Sequence, residues 1–245
     1  MEDVMIPKTV HYCWFGNGKK PELVEKCIAS WHRHLPDYTF IEWNEKNFDP
    51  DINIFVRQAY DNRNYAFVSD YARAYALYNC GGIYLDTDVE ILKNFDPLLT
   101  HEIFLGFEEG AFIGTCVMGA QKGRKLFEAY MRHYDNTQYK QPDGSFYRNT
   151  NVVLMTDMLT SLGLQKNNEF QLLPGGIAVY PLTYFSAYDY INSIAYITGE
   201  TYSIHHFAQL WLPKTARLKT SAKRLLAGII GGGRLKKLRK MLGRQ

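Results

Sequence analysis

An α/β fold, a sheet covered by helices on both faces, is what the sequence predicts. Three observations carry that expectation. Short apolar runs and helical repeats alternate through the first half of the chain, the order that builds a sheet between helix layers. Two glycines, Gly81 and Gly82, punctuate a longer helical pattern just before a short apolar run. A pair of acids, Asp86 and Asp88, follows that run, at the strand end where open α/β sheets bind ligands.

The elements follow in order. Residues 6–15, IPKTVHYCWF, form a buried first strand. From Pro21 to about His34, Leu23, Val24, Cys27 and Trp31 recur at helical spacing. YTFIEW at 38–43 alternates as a second strand, and residues 51–60 make a short helix. NYAFVSDYARAYALYNCGG is a longer helix closed by its glycines, where a left-handed cap fits. IYLD at 83–86 is a short buried strand and VEIL at 89–92 begins another extended stretch. EIFLGFE and FIGTCVMGA are further strands, and KLFEAYMRHY and NVVLMTDMLTSLG further helices. FQLLPGGIAVYP and YSIHHFAQLW return to extended and loop character.

Charge divides the chain. Residues 214–245 hold 11 of the 28 Lys and Arg and no acid, leaving 17 basic against 25 acidic side chains in residues 1–213, a formal −8. The expected organisation is therefore one α/β domain over 1–213 and a basic tail over 214–245. In the tail, Leu235, Leu238, Met241 and Leu242 repeat at helical spacing among lysines and arginines. A basic amphipathic helix of this kind lies on an anionic membrane surface, where each Lys or Arg contributes roughly 1 kcal/mol. The tail has no aromatics to stack on bases, which argues against nucleic acid as the partner.

The N-terminus lacks a basic segment followed by an apolar one, so no signal peptide is expected. No apolar run approaches the ~20 residues that span a bilayer. Cys13, Cys27, Cys80 and Cys116 show no metal-type spacing. They read as reduced core thiols of a cytosolic protein. The expected location is the cytoplasm, peripheral on the inner face of the cell membrane.

Chemistry concentrates in NCGGIYLDTDVE. In an extended segment Asp86 and Asp88 would point the same way with α-carbons ~7 Å apart. Two carboxylates held close repel by roughly 3 kcal/mol at an intermediate dielectric. A divalent cation removes that cost, and oxygen donors suit Mg²⁺ or Mn²⁺. The phosphatase pattern DxDx[TV] fails because its last position is Glu90. Asp70 and Arg73 share a face of the preceding helix at i, i+3. That helix also carries Phe67, Tyr71, Ala74 and Leu77, so the pair is not freely solvated. Such a pair near a strand end suits sugar hydroxyls and a phosphate.

The run AFVSDYARAYALYNCGGIYLDTDVE resembles the signature of family 32 glycosyltransferases, the group with a DXD sugar-binding region. The likeness extends to HYCWFGNGKKPELVEKCIASWHRHLPDYTFIEWNE at 11–45 and to SIHHFAQLW at 203–211. It implies a GT-A fold, a Rossmann-like nucleotide-binding sheet joined to an acceptor-binding part. It also implies sugar transfer from a nucleotide sugar, with UDP-hexoses favoured, retention of configuration, and Mn²⁺ or Mg²⁺ as cofactor. By resemblance, Trp14 stacks on the base, Asp70 and Arg73 contact donor sugar and diphosphate, and Tyr84 lies beside the sugar. Asp86 faces ribose and sugar, Asp88 ligates the metal, and His206 and Trp211 take metal-side and phosphate-side positions. Leu210 stands where the family's HHxxxSW-like segment has Ser. The acceptor expected is a saccharide, lipid-linked and part of a surface polysaccharide. The alternatives are a protein acceptor and a non-catalytic nucleotide-sugar or membrane-binding module.

Overall fold

A computed structural model describes residues 5–109, 112–190 and 194–209. The basic tail and Trp211 lie outside the described residues.

The chain runs β1 (Thr9–Cys13), α1 (Glu22–His34), β2 (Thr39–Trp43), α2 (Ile54–Asp61), α3 (Tyr65–Cys80), β3 (Gly82–Leu85) and β4 (Val89–Ile91). Then come β5 (Ile103–Glu108), β6 (Phe112–Ala120), α4 (Lys125–Asp135), α5 (Asn151–Ser161), β7 (Gln171–Leu173) and β8 (Ile177–Tyr180). A short α6 (Leu182–Phe185), β9 (Tyr188–Asp189), β10 (Ile194–Ala195) and β11 (Ser203–His205) complete it. Seven strands form one sheet in the order β2-β1-β3-β6-β5-β8-β7. β1 pairs in parallel with both β2 and β3, and β5 in parallel with β8. β6 runs antiparallel between β3 and β5, and β7 antiparallel on the far edge. The α/β expectation is met, in a mixed sheet.

Side-chain alternation along the strands feeds two cores, one on each face. Tyr84, Met118, Leu105, Phe107 and Val179 join the core beneath α2 to α5. Their strand neighbours Ile83, Leu85, Val117, Phe104 and Ala178 join the core that holds Trp31 of α1 and Phe185 of α6. Helices therefore cover both faces.

Helix α3 matters most for the site. It packs on β1, β3 and β6 inside and against α2 and α4 outside. Ala72, Ala74 and Ala76 are fully buried, and such small side chains admit close neighbours. Burial on both sides is why a helix carrying Asp70 and Arg73 is not amphipathic. Cys80, in its last turn, is exposed, whereas Cys13, Cys27 and Cys116 are buried; the expectation of four core thiols holds for three.

The chain leaves α3 through Gly81 at φ 68° and ψ −176°, a region open to glycine alone. Gly82 follows at φ 110°, and a Cβ there would sit 2.5 Å from the Thr9 carbonyl oxygen. Only a glycine lets β3 pass this close to β1. The turn aims β3 so that Asp86 emerges at the same sheet end as Cys13, by the register Val10 to Ile83 and His11 to Tyr84.

Candidate active site

The site gathers where β1, β3 and β5 end and β6 begins. Arg73 lies at its centre, 4% exposed. Its Nη2 is 3.1 Å from Asp70 Oδ1 and 3.3 Å from Asp86 Oδ1. Nη1 donates to the Thr115 carbonyl at 3.1 Å and to its hydroxyl at 2.9 Å, and Nε donates to the Ser69 carbonyl at 3.2 Å. The guanidinium also lies over the Tyr84 ring, 4.7 Å from its centroid. All three nitrogens are thus fixed, and the planar fork cannot turn without breaking several bonds. Burial works against the charge on Arg73, but Asp86, Tyr84 and Asp70 hold its pKa well above the ordinary value.

Tyr84 donates its hydroxyl to Asp86 Oδ1 at 2.9 Å, fixing that carboxylate from a second side. Asn151, at the start of α5, donates to Asp70 Oδ1 at 2.6 Å. Burial pushes the Asp70 carboxyl up to about 6, with Arg73 pulling it down and Asp86 pushing it up.

Asp86 and Asp88 do not lie in an extended segment as expected. The Val89 amide donates to the Asp86 carbonyl at 3.0 Å, so Asp86 to Val89 form a tight turn between β3 and β4. The turn still brings the acids together: donor atoms of Asp86, Asp88 and His205 lie within 4.8 Å of one another. Asp88 accepts from the Ala208 amide at 2.7 Å, and His205 Nε2 lies 3.4 Å from Asp88 Oδ1. Burial raises the Asp88 carboxyl, but His205 and the Ala208 amide outweigh it and bring the pKa to about 2. Burial also disfavours charge on His205, yet Cys116 and Asp88 hold its pKa well above the usual value. Two carboxylates and an imidazole are a donor set for Mg²⁺ or Mn²⁺. The residues present fit such an ion.

His206, expected on the metal side, is placed elsewhere: its Nε2 is 2.9 Å from Glu90 Oε2. The cause is the strand period. β11 pairs with β4, and consecutive side chains leave a strand on opposite sides. His205 therefore reaches the carboxylates, and His206 pairs with Glu90. Trp14 stands half-buried just beyond β1 at the same sheet end, its Nε1 donating to the Gly18 carbonyl at 2.7 Å and Lys20 over its ring at 5.5 Å. The structure thus brings together Asp70, Arg73, Tyr84, Asp86 and Asp88. It adds Thr115, Asn151 and His205. Only for His205 did the sequence carry a signal, the doublet at 205–206.

The fold and this site define a class, an α/β core with an arginine, carboxylates and a histidine gathered at its strand ends. Residues 21–105 match the family model described as "Glycosyltransferase sugar-binding region containing DXD motif". Asp70, Arg73, Asp86 and Asp88 all fall within the matched stretch. Among curated proteins, inositol phosphoceramide mannosyltransferase 3 of Schizosaccharomyces pombe is 30% identical over 140 residues, 54% of this chain and 38% of that protein. Mannosyl phosphorylinositol ceramide synthase CSH1 of Saccharomyces cerevisiae is 30% identical over 149 residues, 55% of this chain and 38% of that protein. The chain thus spans well under half the length of these relatives. Among solved structures, the PaToxG glycosyltransferase superposes with a TM-score of 0.47 at 16% identity, over 64% of this chain and 69% of that one. The galactosyltransferase LgtC gives 0.41 at 14% identity, over 90% of this chain and 95% of that one.

Proposed function

We propose that this chain is a metal-dependent glycosyltransferase that moves a hexose from a nucleotide sugar to a saccharide acceptor with retention of configuration. The observation that carries the reading is the fixed Arg73 fork between Asp70 and Asp86, next to the Asp86, Asp88 and His205 donor set.

A departing nucleoside diphosphate gains negative charge as the sugar bond breaks, and groups already aimed at that charge lower the barrier without reorganising. Arg73 is such a group, because Thr115, Ser69 and Tyr84 hold it before any donor arrives. A divalent ion held by Asp86, Asp88 and His205 would supply further positive charge at the diphosphate. Asp70, steadied by Asn151, offers an acceptor for a sugar hydroxyl. Trp14 offers a flat face for the base. The acceptor hydroxyl then attacks on the side from which the diphosphate leaves, and a leaving-group oxygen takes its proton.

UDP-hexoses remain the favoured donors, and mannose joins the candidate sugars because the matched relatives are mannosyltransferases by name. Those names also carry an inositol phosphoceramide, which supports a lipid-linked acceptor for this chain. The basic run at 214–245 supports a peripheral place on the cytoplasmic membrane face, and truncation at residue 213 should abolish binding to anionic liposomes. Among the described residues no helix is long and apolar enough to cross a membrane.

Thermal-shift screening of UDP-glucose, UDP-galactose, UDP-N-acetylglucosamine and GDP-mannose, with and without Mn²⁺, tests the reading. One donor should stabilise the protein in a Mn²⁺-dependent way and be slowly hydrolysed. If no donor shifts the melting temperature and none is turned over, the proposal fails.

A further inference from the structure

His205 belongs to two donor clusters. On one side are Asp86 and Asp88; on the other, donor atoms of Glu108, Cys116 and His205 also lie within 4.8 Å of one another. Glu108 ends β5, Cys116 sits in β6 and His205 ends β11, so three separate strands converge on this second cluster.

The two clusters differ in chemistry. The first offers two carboxylates and an imidazole, a hard set. The second offers a thiol, an imidazole and one carboxylate, the mixture that suits Zn²⁺ and its stand-in Co²⁺. His205 Nε2 lies 3.4 Å from Asp88 Oδ1, while its Nδ1 is buried without a hydrogen-bond partner. A buried ring nitrogen left unbonded is costly, and a cation or a proton acceptor relieves that cost.

The surroundings keep the cluster open to such an ion. Cys116 is 2% exposed, and its Sγ meets Ser186 Oγ at 3.4 Å and interacts with the His205 side chain. Gly114 leaves room for the Glu108 carboxylate, since a Cβ there would sit 3.0 Å from Glu108 Oε2. Donors this close reach an ion bound at roughly 2.0–2.3 Å with side-chain adjustments alone.

We propose that Glu108, Cys116 and His205 form a second, thiophilic metal site for Zn²⁺ that shares His205 with the Asp86–Asp88 site. Binding breaks the Cys116 S–H bond and an N–H bond of the His205 ring, forms zinc–thiolate and zinc–imidazole bonds, and releases both protons to solvent. Because His205 serves both clusters, Zn²⁺ in the soft site withdraws a donor from the hard one. Micromolar zinc is then an inhibitor of whatever the hard site's Mg²⁺ or Mn²⁺ supports. This inference stands on the clusters alone and does not require the donor assignment above.

The test is Co²⁺ titration of the full chain under saturating Mg²⁺, followed by absorption. A near-ultraviolet thiolate-to-cobalt band should appear in the wild type. It should vanish in Cys116→Ser and persist in Cys27→Ser and Cys80→Ser. Glu108→Gln should keep the band but need at least tenfold more Co²⁺, which covers the case of a poorly folding Cys116→Ser. In a second measurement, Mn²⁺ binding followed by electron paramagnetic resonance should weaken at least tenfold when Zn²⁺ is added. A wild type without the band, or a folded Cys116→Ser that retains it, overturns the site. Mn²⁺ affinity indifferent to Zn²⁺ overturns the sharing of His205.

Discussion

Arg73, buried on α3, and Asp86, partly exposed just past β3, meet at 3.3 Å. They stand on consecutive elements, and the Gly81–Gly82 turn folds one back on the other. The contact is charge-assisted, and Tyr84 supports both partners at once. An ion pair with a buried partner contributes little net stability, because desolvation offsets attraction. Its value lies in holding a cation aimed at the strand ends.

Arg73→Lys keeps the charge and loses the fork. An ammonium cannot bridge Asp70, Asp86 and Thr115 together. The variant should fold, and donor turnover should fall at least a hundredfold, read from diphosphate release. Arg73→Ala leaves the buried Asp70 and the partly exposed Asp86 without their cation and should cost about 3 kcal/mol in denaturant unfolding.

Asp88→Asn should abolish the stabilisation that Mn²⁺ gives, measured as a melting-temperature shift, while leaving the metal-free fold intact. The Ala208 amide retains an oxygen acceptor in the amide, so the loop after β11 keeps its anchor. Asp86→Asn should weaken Mn²⁺ and also lower donor affinity, because Asp86 contacts Arg73 as well. A Mn²⁺ response equal to wild type in Asp88→Asn would contradict the metal assignment.

Much of this was legible in the sequence because it is local. Period and punctuation locate α3, β3 and the Asp70–Arg73 pair, since i, i+3 residues meet on any helix. The acid pair is visible too, although its tight turn is not, because one hydrogen bond from Val89 sets it. His205 against His206 could not be decided from a doublet: its answer is the register of β11 on β4, a pairing across more than a hundred residues. Asn151 and Thr115 reach the site by chain reversals that leave no local pattern. Glu108 reads as any strand-end acid until β6 and β11 close around it.

The two histidines therefore separate experimentally. His205→Ala should reduce Mn²⁺ affinity roughly 10–100-fold, the range for losing one supporting group of a metal site. His206→Ala loses a half-exposed pairing with Glu90 and should leave Mn²⁺ affinity within about twofold. Isothermal titration with Mn²⁺ reads both. The reverse order would restore His206 as the ligand.

The metal-free protein should show two opposite pH dependences from its carboxylates. Asp88 has a folded pKa of about 2 against an ordinary 3.8, so it contributes stability above about pH 4 that is lost as pH falls towards 2. Asp70 has a folded pKa of about 6 against the same 3.8, so the native state keeps its proton after the unfolded chain has lost it. Stability therefore declines as pH rises from about 4 to 6 and then levels from this cause. Each shift of about two units corresponds to about 3 kcal/mol. Urea unfolding in EDTA across pH 2–7 measures both. Asp70→Asn should flatten the decline between 4 and 6, and Asp88→Asn should flatten the loss below 4. The slopes are compared rather than the offsets, because Asp70→Asn also removes a partner of Arg73. A wild-type profile that rises from pH 4 to 6 as steeply as Asp70→Asn would show that Asp70 ionises normally in the fold.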